Sequence, residues 1–328
     1  MHQSPLISVV VIGHNEGQRL TRCLASVREC HYPAIELIYV DSHSSDDSAT
    51  RASYLADQVY FAQQKGAAAA RNVGLSHAKG EWIMFLDGDT RLAPQFLNQA
   101  MAELQQNSQL ACVWGHRFER YPRQSIYVQV LDLDWRYQPG ETAFCGGDAL
   151  FRRSALTSVN GFNARLIAGE EPELCCRLRQ QGWRILHIDA AMTQHDLAIT
   201  RFTQYWQRTC RAGYAYAAVS ALKHQFWANE VAHNVKQSSV LSLLGVLMFL
   251  GALLQPLLSA LALSTLMLLM LRSSWRARWR SAHWPTLLLY GAHSWFAVIP
   301  IRCGIWQFRR DQQAQRSASF RNYKEAEK

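Results

Sequence analysis

The sequence predicts an α/β protein: an open, mainly parallel sheet covered by helices on both faces, followed by membrane-associated helices. Three observations predict it. Short β-branched runs alternate with amphipathic stretches over the first third of the chain. Apart from Ser8 and Glu36 the runs are apolar, and they lack the polar alternation of a half-exposed strand. From Ser239 to Leu271 there is hardly a polar side chain and no charge, a run longer than the ~20 residues one bilayer crossing needs.

The elements follow in order. Leu6–Ile12 is a β-branched run ended by Gly13 and reads as a buried strand. Glu16–Arg28 carries Leu20, Cys23, Leu24 and Val27 at helical spacing, with Pro33 beyond its end. Ile35–Val40 is a second buried strand ending at Asp41, followed by a turn and helix cap at Ser44, Ser45, Asp46 and Asp47. Ala67–Ala78 is expected to be helical, stopped near Gly80. Trp82–Leu86 is a strand running into Asp87-Gly88-Asp89, and Pro94–Gln105 is again helical. Phe144–Phe162 is a mixed, Gly-rich region. Gly169–Gln181 is an amphipathic helix with Pro172 near its start and Gly182 as its stop.

In residues 238–271, Gln255-Pro256 sits near the middle and would bend a hairpin with arms of about 16 residues, short for a span. One long tilted helix is the alternative. Charge favours the hairpin, because two crossings bring Arg272, Arg276, Arg278 and Arg280 back to the side of entry, as the positive-inside tendency demands. Residues 284–308 are apolar and aromatic but interrupted by His293, Pro300 and Arg302, and are expected to be an interfacial helix or a third crossing.

The formal charge of the 328 residues is +9. Acidic lipid, a phosphorylated substrate or nucleic acid would each account for it. Much of the excess follows the apolar run, with Arg302, Arg309, Arg310, Arg316 and Arg321 after the first four arginines. That placement favours a membrane flank, and no nucleic-acid motif with the right spacing is present, so no nucleic-acid partner is expected. The eight cysteines form no C-x-x-C pair and are expected to be reduced thiols. No basic segment followed by an apolar core opens the chain, so the first 200 residues are expected in the cytoplasm.

Ligands of such sheets bind beyond the carboxyl ends of the strands. Here those ends are His14-Asn15-Glu16, Asp41 and Asp87-Asp89, which should converge on one crevice. Two carboxylates one residue apart, as in Asp87-Gly88-Asp89, suit a hard cation that also bridges nucleotide phosphates. Glu170 and Glu171 begin a helix, where free backbone N–H groups favour the anion that a general base requires. A simple helix cap explains either glutamate equally well. A dinucleotide-dependent oxidoreductase is disfavoured, because Gly13-His14-Asn15-Glu16-Gly17 does not supply G-x-G-x-x-G.

These motifs resemble those of the family 2 glycosyltransferases, which have the GT-A nucleotide-diphospho-sugar transferase fold. Val9-Val10-Val11-Ile12-Gly13-His14-Asn15-Glu16 resembles the family's first strand and Pro-x-Tyr-Asn-Glu turn, with Gly13 and His14 replacing the usual Pro and aromatic. Val40-Asp41-Ser42-His43-Ser44-Ser45-Asp46 resembles its Asp-Asp-Gly-Ser-x-Asp turn, and Gly66 to Gly74 its Gly-x-x-x-Ala-Arg-Asn-x-Gly helix. Gly169-Glu170-Glu171-Pro172-Glu173-Leu174 resembles its Glu-Asp-x-x-Leu motif, with Glu171 where the family usually has Asp.

The resemblance implies a role for each residue. His14, Glu16 and Asp41 would bind the nucleoside, Asp41 through the base imide. Arg71 would offset diphosphate charge, and Asp87 would hold the ribose or the metal. Asp89 and His195 would ligate Mg2+ or Mn2+. Gly147 would allow close approach of the donor sugar, Asp148 would bind a sugar hydroxyl, and Glu171 would be the base. The implied activity is inverting transfer of one sugar from a nucleotide-diphosphate donor to a lipid-linked saccharide or lipid, at the bacterial inner membrane, in glycan or exopolysaccharide synthesis. The implied domains are a cytoplasmic catalytic domain over 1–225, membrane-associated helices over 226–308 and a basic cytoplasmic tail over 309–328. A non-catalytic nucleotide-binding membrane scaffold is the alternative. Gln204-Tyr205-Trp206-Gln207-Arg208 differs in spacing from the Gln-x-x-Arg-Trp motif of processive synthases, which favours a single addition.

Overall fold

The computed structural model describes residues 4–222 and 224–315. The chain divides into two units, Met1–Arg120 with Trp135–Leu197, and Tyr121–Asp134 with Ala198–Lys328.

In the first unit the expected alternation appears as β1 (Ile7–Gly13), α1 (Gln18–Arg28), β2 (Ile35–Asp41), α2 (Ser48–Ser53), β3 (Gln58–Phe61), α3 (Ala67–His77) and β4 (Trp82–Asp87). The β-branched runs of β1, β2 and β4 are buried on both faces, which is why they show no polar alternation. Helix α3 lies close on β1 because Gly74 has no Cβ to meet the Val10 side chain. The chain continues through β5 (Thr90–Leu92), α4 (Phe96–Gln106) and β6 (Leu110–Glu119). It leaves the unit for α5 (Ile126–Asp134) and returns through β7 (Gly140–Glu141), β8 (Ala149–Arg152), α6 (Arg153–Ser158), α7 (Glu170–Gln180) and β9 (Arg184–His195).

These strands form one sheet of order β3-β2-β1-β4-β8-β6-β9-β5, with β7 paired to β9. The β3-β2-β1-β4 half is parallel, as helical crossovers require. Strand β8 pairs antiparallel with β4 and β6, and β9 runs parallel to β6 but antiparallel to β5. The sheet is therefore mixed, its parallel half being the part that the periodicity reported. The order turns between β1 and β4, the switch point where such sheets bind ligands.

The second unit contains α5, α8 (Phe202–Ser220), α9 (Ala228–Leu254), α10 (Pro256–Arg276), α11 (Trp284–Phe296) and α12 (Val298–Gln313). The sequence set a boundary at residue 225, but α8 belongs with the later helices. Gly213 faces the Ile301 carbonyl and Gly304 faces the Cys210 carbonyl, so the backbones of α8 and α12 approach closely. The apolar run is a hairpin, not one long helix. Gln255 is extended (φ −156°) and Pro256 begins α10, while Ser259 Oγ donates to Met248 O across the two arms at 2.7 Å. The arms have 27 and 21 residues, longer than expected because polar turns extend α9 back to Ala228. Both are long and apolar enough to cross a membrane. The segment over 284–308 is broken at Ala297 into α11 and α12 of 13 and 16 residues. Of the expected basic tail, residues 316–328, with Arg316 and Arg321, lie outside the described residues. Among the described residues all eight cysteines are free thiols.

Candidate active site

The strand register brings the expected residues together. Gly13 lies opposite Asp41 and Ile12 opposite Asp87, so the carboxyl ends of β1, β2 and β4 are level. Backbone bonds hold them there: Ser42 N–H donates to Gly13 O at 2.8 Å and Gly88 N–H to Ile12 O at 2.7 Å. The turns after β1 and β2 are stitched to each other. Asn15, with φ 56°, donates its N–H to Ser44 Oγ at 3.0 Å and accepts from Ser45 N–H at 2.7 Å. Glu16 N–H and Gly17 N–H both donate to Ser48 Oγ. His14 and Glu16 thus sit on a fixed turn, with Glu16 paired to Arg19 at 2.9 Å. Asp41 is buried and accepts from Ser44 N–H at 2.7 Å and Tyr39 OH at 3.0 Å. Burial, and then the Asp41 charge, push the Tyr39 hydroxyl well above its ordinary value.

Arg71 is the centre of the site. Its side chain is 1% exposed and meets Asp87 at 2.9 Å, Glu170 at 2.9 Å and Glu171 at 3.0 Å. Its Nη2 also donates to Gly147 O at 3.4 Å, and its guanidinium lies 5.5 Å over the Phe162 ring. Burial opposes its charge, but Glu171, Asp87 and Glu170 together raise its pKa above the ordinary value. The Arg71 charge, expected to face a diphosphate, is balanced by protein carboxylates. Gly147 is required where it stands, since a Cβ there would lie 2.9 Å from both Arg71 Nη2 and Asp87 Oδ2 and 3.2 Å from Glu171 Oε1.

The two glutamates are distinguished by access. Glu170 is 6% exposed and Glu171 16%. Burial, and then the neighbouring Glu170 charge, push the Glu171 carboxyl up to about 7, with Arg71 opposing. The Asp87 carboxyl is likewise raised, by burial and by Asp148 and Asp89.

Asp148 departs from the sequence expectation. It is fully buried, with both oxygens engaged by protein donors, so it is not exposed to a sugar hydroxyl. Its Oδ1 accepts from Asp87 N–H at 3.0 Å, and its Oδ2 meets Thr193 Oγ1 at 2.7 Å and His195 Nε2 at 2.8 Å. Burial raises its pKa, but His195, Arg117 and the Asp87 N–H bring it below the ordinary value. His195 does not lie after the core but ends β9, opposite Thr90 of β5 and Glu119 of β6. With Nε2 donating to Asp148, its Nδ1 faces Asp89 Oδ1 at 4.0 Å. Burial lowers its pKa, and Asp148 and then Asp89 raise it above the ordinary value.

Asp89 and His195 Nδ1 are separated by a span that a single ion bonded to both at about 2.0–2.2 Å would bridge. Among the described residues no group of three His, Cys, Asp or Glu side chains could hold an ion by itself. The pair fits a metal that also takes oxygens from a diphosphate, and five carboxylates (Asp87, Asp89, Asp148, Glu170, Glu171) outnumber Arg71, Arg117 and His195, which favours a cation.

Sequence reasoning missed Thr193, Arg117 and the Tyr39 hydroxyl. Thr193 and His195 alternate in burial with exposed Gln194, but all three are polar, so the alternation carries no hydrophobic signal in the sequence. Arg117, whose guanidinium lies 5.3 Å over the Trp135 ring, carries no motif.

Comparison with known proteins bears on family and fold. Residues 8–159 match the sequence model of the family described as "Glycosyl transferase family 2". Among similar proteins, the glycosyltransferase GlyG of Streptococcus pneumoniae is 35% identical over 109 residues, which is 31% of this chain and 36% of that protein. The glycosyltransferase AglE of Haloferax volcanii is 31% identical over 194 residues, 55% of this chain and 64% of that protein. In both cases the chain spans less than two thirds of the relative's own length. Among solved structures, a mannosyltransferase of Pyrobaculum calidifontis in complex with GDP-Man and Mn2+ superposes with a TM-score of 0.61 at 20% identity, covering 95% of this chain and 89% of that one. The shared fold is GT-A.

Proposed function

We propose that this chain, whose residues 8–159 form a glycosyl transferase family 2 domain, is an inverting glycosyltransferase. It transfers one sugar from a nucleotide-diphosphate donor to a lipid-linked saccharide or lipid. The observation that carries this reading is the Arg71 cluster, which gathers Asp87 from β4 with Glu170 and Glu171 from the start of α7 at the switch point of the sheet.

The nucleoside lies between the turns after β1 and β2, with Asp41 toward the base and Asp87 toward the ribose. Asp89 and His195 would hold Mg2+ or Mn2+, which would offset the charge of the diphosphate leaving group. Asp148 fixes the His195 ring so that Nδ1 presents its lone pair toward Asp89. Arg71 serves as a positioning residue, holding Glu171 and Asp87 at fixed separation. Glu171 takes the proton of the acceptor hydroxyl as that oxygen attacks the anomeric carbon. A carboxyl held at about 7 accepts a proton well near neutral pH. One base opposite one leaving group gives single displacement and inversion.

The α9–α10 hairpin supports membrane anchoring. The charge pattern supports the bacterial inner membrane, with the catalytic domain cytoplasmic, and the anchoring supports a role in glycan or exopolysaccharide assembly. The test is the anomeric configuration of the product, read by NMR after transfer from a panel of donors to acceptors in a membrane lipid extract. The reading expects the configuration opposite to the donor's. Retention would overturn the single-displacement mechanism.

A further inference from the structure

Beside Asp89, on the flank that faces β5, four arginines line one shallow depression: Arg19, Arg22, Arg91 and Arg120, with Asp196 at its margin. They come from separate elements. Arg19 and Arg22 are one helical turn apart on α1, Arg91 is the middle residue of β5 opposite Gln194 of β9, and Arg120 follows the end of β6. Arg19 is paired with Glu16 at 2.9 Å. Arg22 has only the Gln18 amide, at 3.5 Å, and among the described residues no carboxylate pairs with Arg91. The mechanism above uses none of the four. Four arginines against Asp89, Asp196 and Glu16 leave a positive excess, and planar forked donors of this kind match phosphate oxygens two at a time.

We propose that this depression binds a phosphate or diphosphate group carried by the acceptor. The inference deepens the transferase reading and rests on it. Arg91 on β5 and Arg120 after β6 stand on the far side of the sheet from β2 and β3, while Arg19 and Arg22 on α1 adjoin the turn after β1. Asp89 faces His195 on one side and lines the arginine depression on the other. An anion held there adjoins the reacting centre without being part of the donor. A lipid phosphate or lipid diphosphate sugar would engage Arg22 and Arg91, which a neutral acceptor would not.

The experiment titrates inorganic pyrophosphate into the full chain in neutral detergent by calorimetry, with and without saturating nucleoside diphosphate and Mn2+. It compares the natural protein with the Arg22→Gln/Arg91→Gln double variant. The expected result is pyrophosphate binding that persists with the nucleotide bound, weakens with salt, and falls about tenfold or more in the variant, as loss of charge-assisted hydrogen bonds predicts. Nucleoside diphosphate affinity stays within about twofold, which also shows that the variant is folded. In a second arm, farnesyl phosphate displaces pyrophosphate and farnesol does not. The proposal is overturned if the nucleotide excludes pyrophosphate or loses affinity equally in the variant, which would make the depression part of the donor site. It is also overturned if the variant binds pyrophosphate as well as the natural protein. None of these readings requires turnover, so a failure of the transferase reading would be seen separately.

Discussion

One guanidinium sets the charge balance of the site. Arg71 is buried against three carboxylates, and breaking a buried ion pair by removing one partner costs about 3–5 kcal/mol. Arg71→Gln is therefore expected to lower the thermal midpoint by several degrees and to abolish transfer; an unchanged midpoint in a thermal scan would contradict the cluster. Glu171 gives the opposite sign. Its carboxyl binds a proton more tightly in the fold, at about 7 rather than the ordinary 4.5, so stability falls as pH rises through that interval. Glu171→Gln removes this loss. It should raise the thermal midpoint at pH 8 while lowering turnover by about 10²–10⁴-fold. In the natural protein the rate should rise with pH through about 7 and level off above it, and a rate that fell across that range would sink the base assignment. Asp41, Asp87, Asp89 and Glu171 were legible in the sequence because each ends a strand, lies in the turn just after one, or stands at the start of a helix. The pairings of Arg71 and Asp148 were not, because they join residues up to 100 positions apart, as Arg71 and Glu171 are, and no local pattern encodes such a separation.

At the scale of elements, the buried parallel strands and the helices α1, α3, α4 and α7 were readable from hydrophobic period and from Gly and Pro at their ends. Strands β3 and β5 were too short to show a period. Strand β9 carries His187 and His195 among its buried positions, which dilutes an apolar alternation. Helix α5, Ile-Tyr-Val-Gln-Val-Leu-Asp-Leu-Asp, has β-branched residues that disfavour a helix on propensity alone. Ser125 nonetheless starts it, with its Oγ accepting from Val128 N–H at 3.1 Å. The close approach of α3 to β1 gives a further prediction. A Cβ at Gly74 would meet the Val10 side chain, so Gly74→Ala should destabilise the first unit by about 1–3 kcal/mol, the usual cost of overpacking. Chemical denaturation of that unit's tryptophan signal would measure it, and a neutral effect would contradict the packing.

At the scale of the whole molecule, a sheet that gathers its chemistry at one switch point is joined in sequence to a helical hairpin. Arms of 27 and 21 residues extend about 40 and 32 Å at 1.5 Å per residue, enough for a hydrocarbon core of about 30 Å. The chain should accordingly sediment with membranes and resist extraction by alkaline carbonate. Release by carbonate would leave the hairpin as a surface attachment. The central claim is that Asp89 and Glu171 serve one transfer reaction, and it is tested most directly by nucleoside diphosphate release. Detergent-solubilised protein would be offered a panel of nucleotide sugars with and without Mn2+ or Mg2+. The account predicts metal-dependent release from one donor, lost in both Asp89→Ala and Glu171→Gln. Release that persists in both variants, or that ignores the metal, would contradict it.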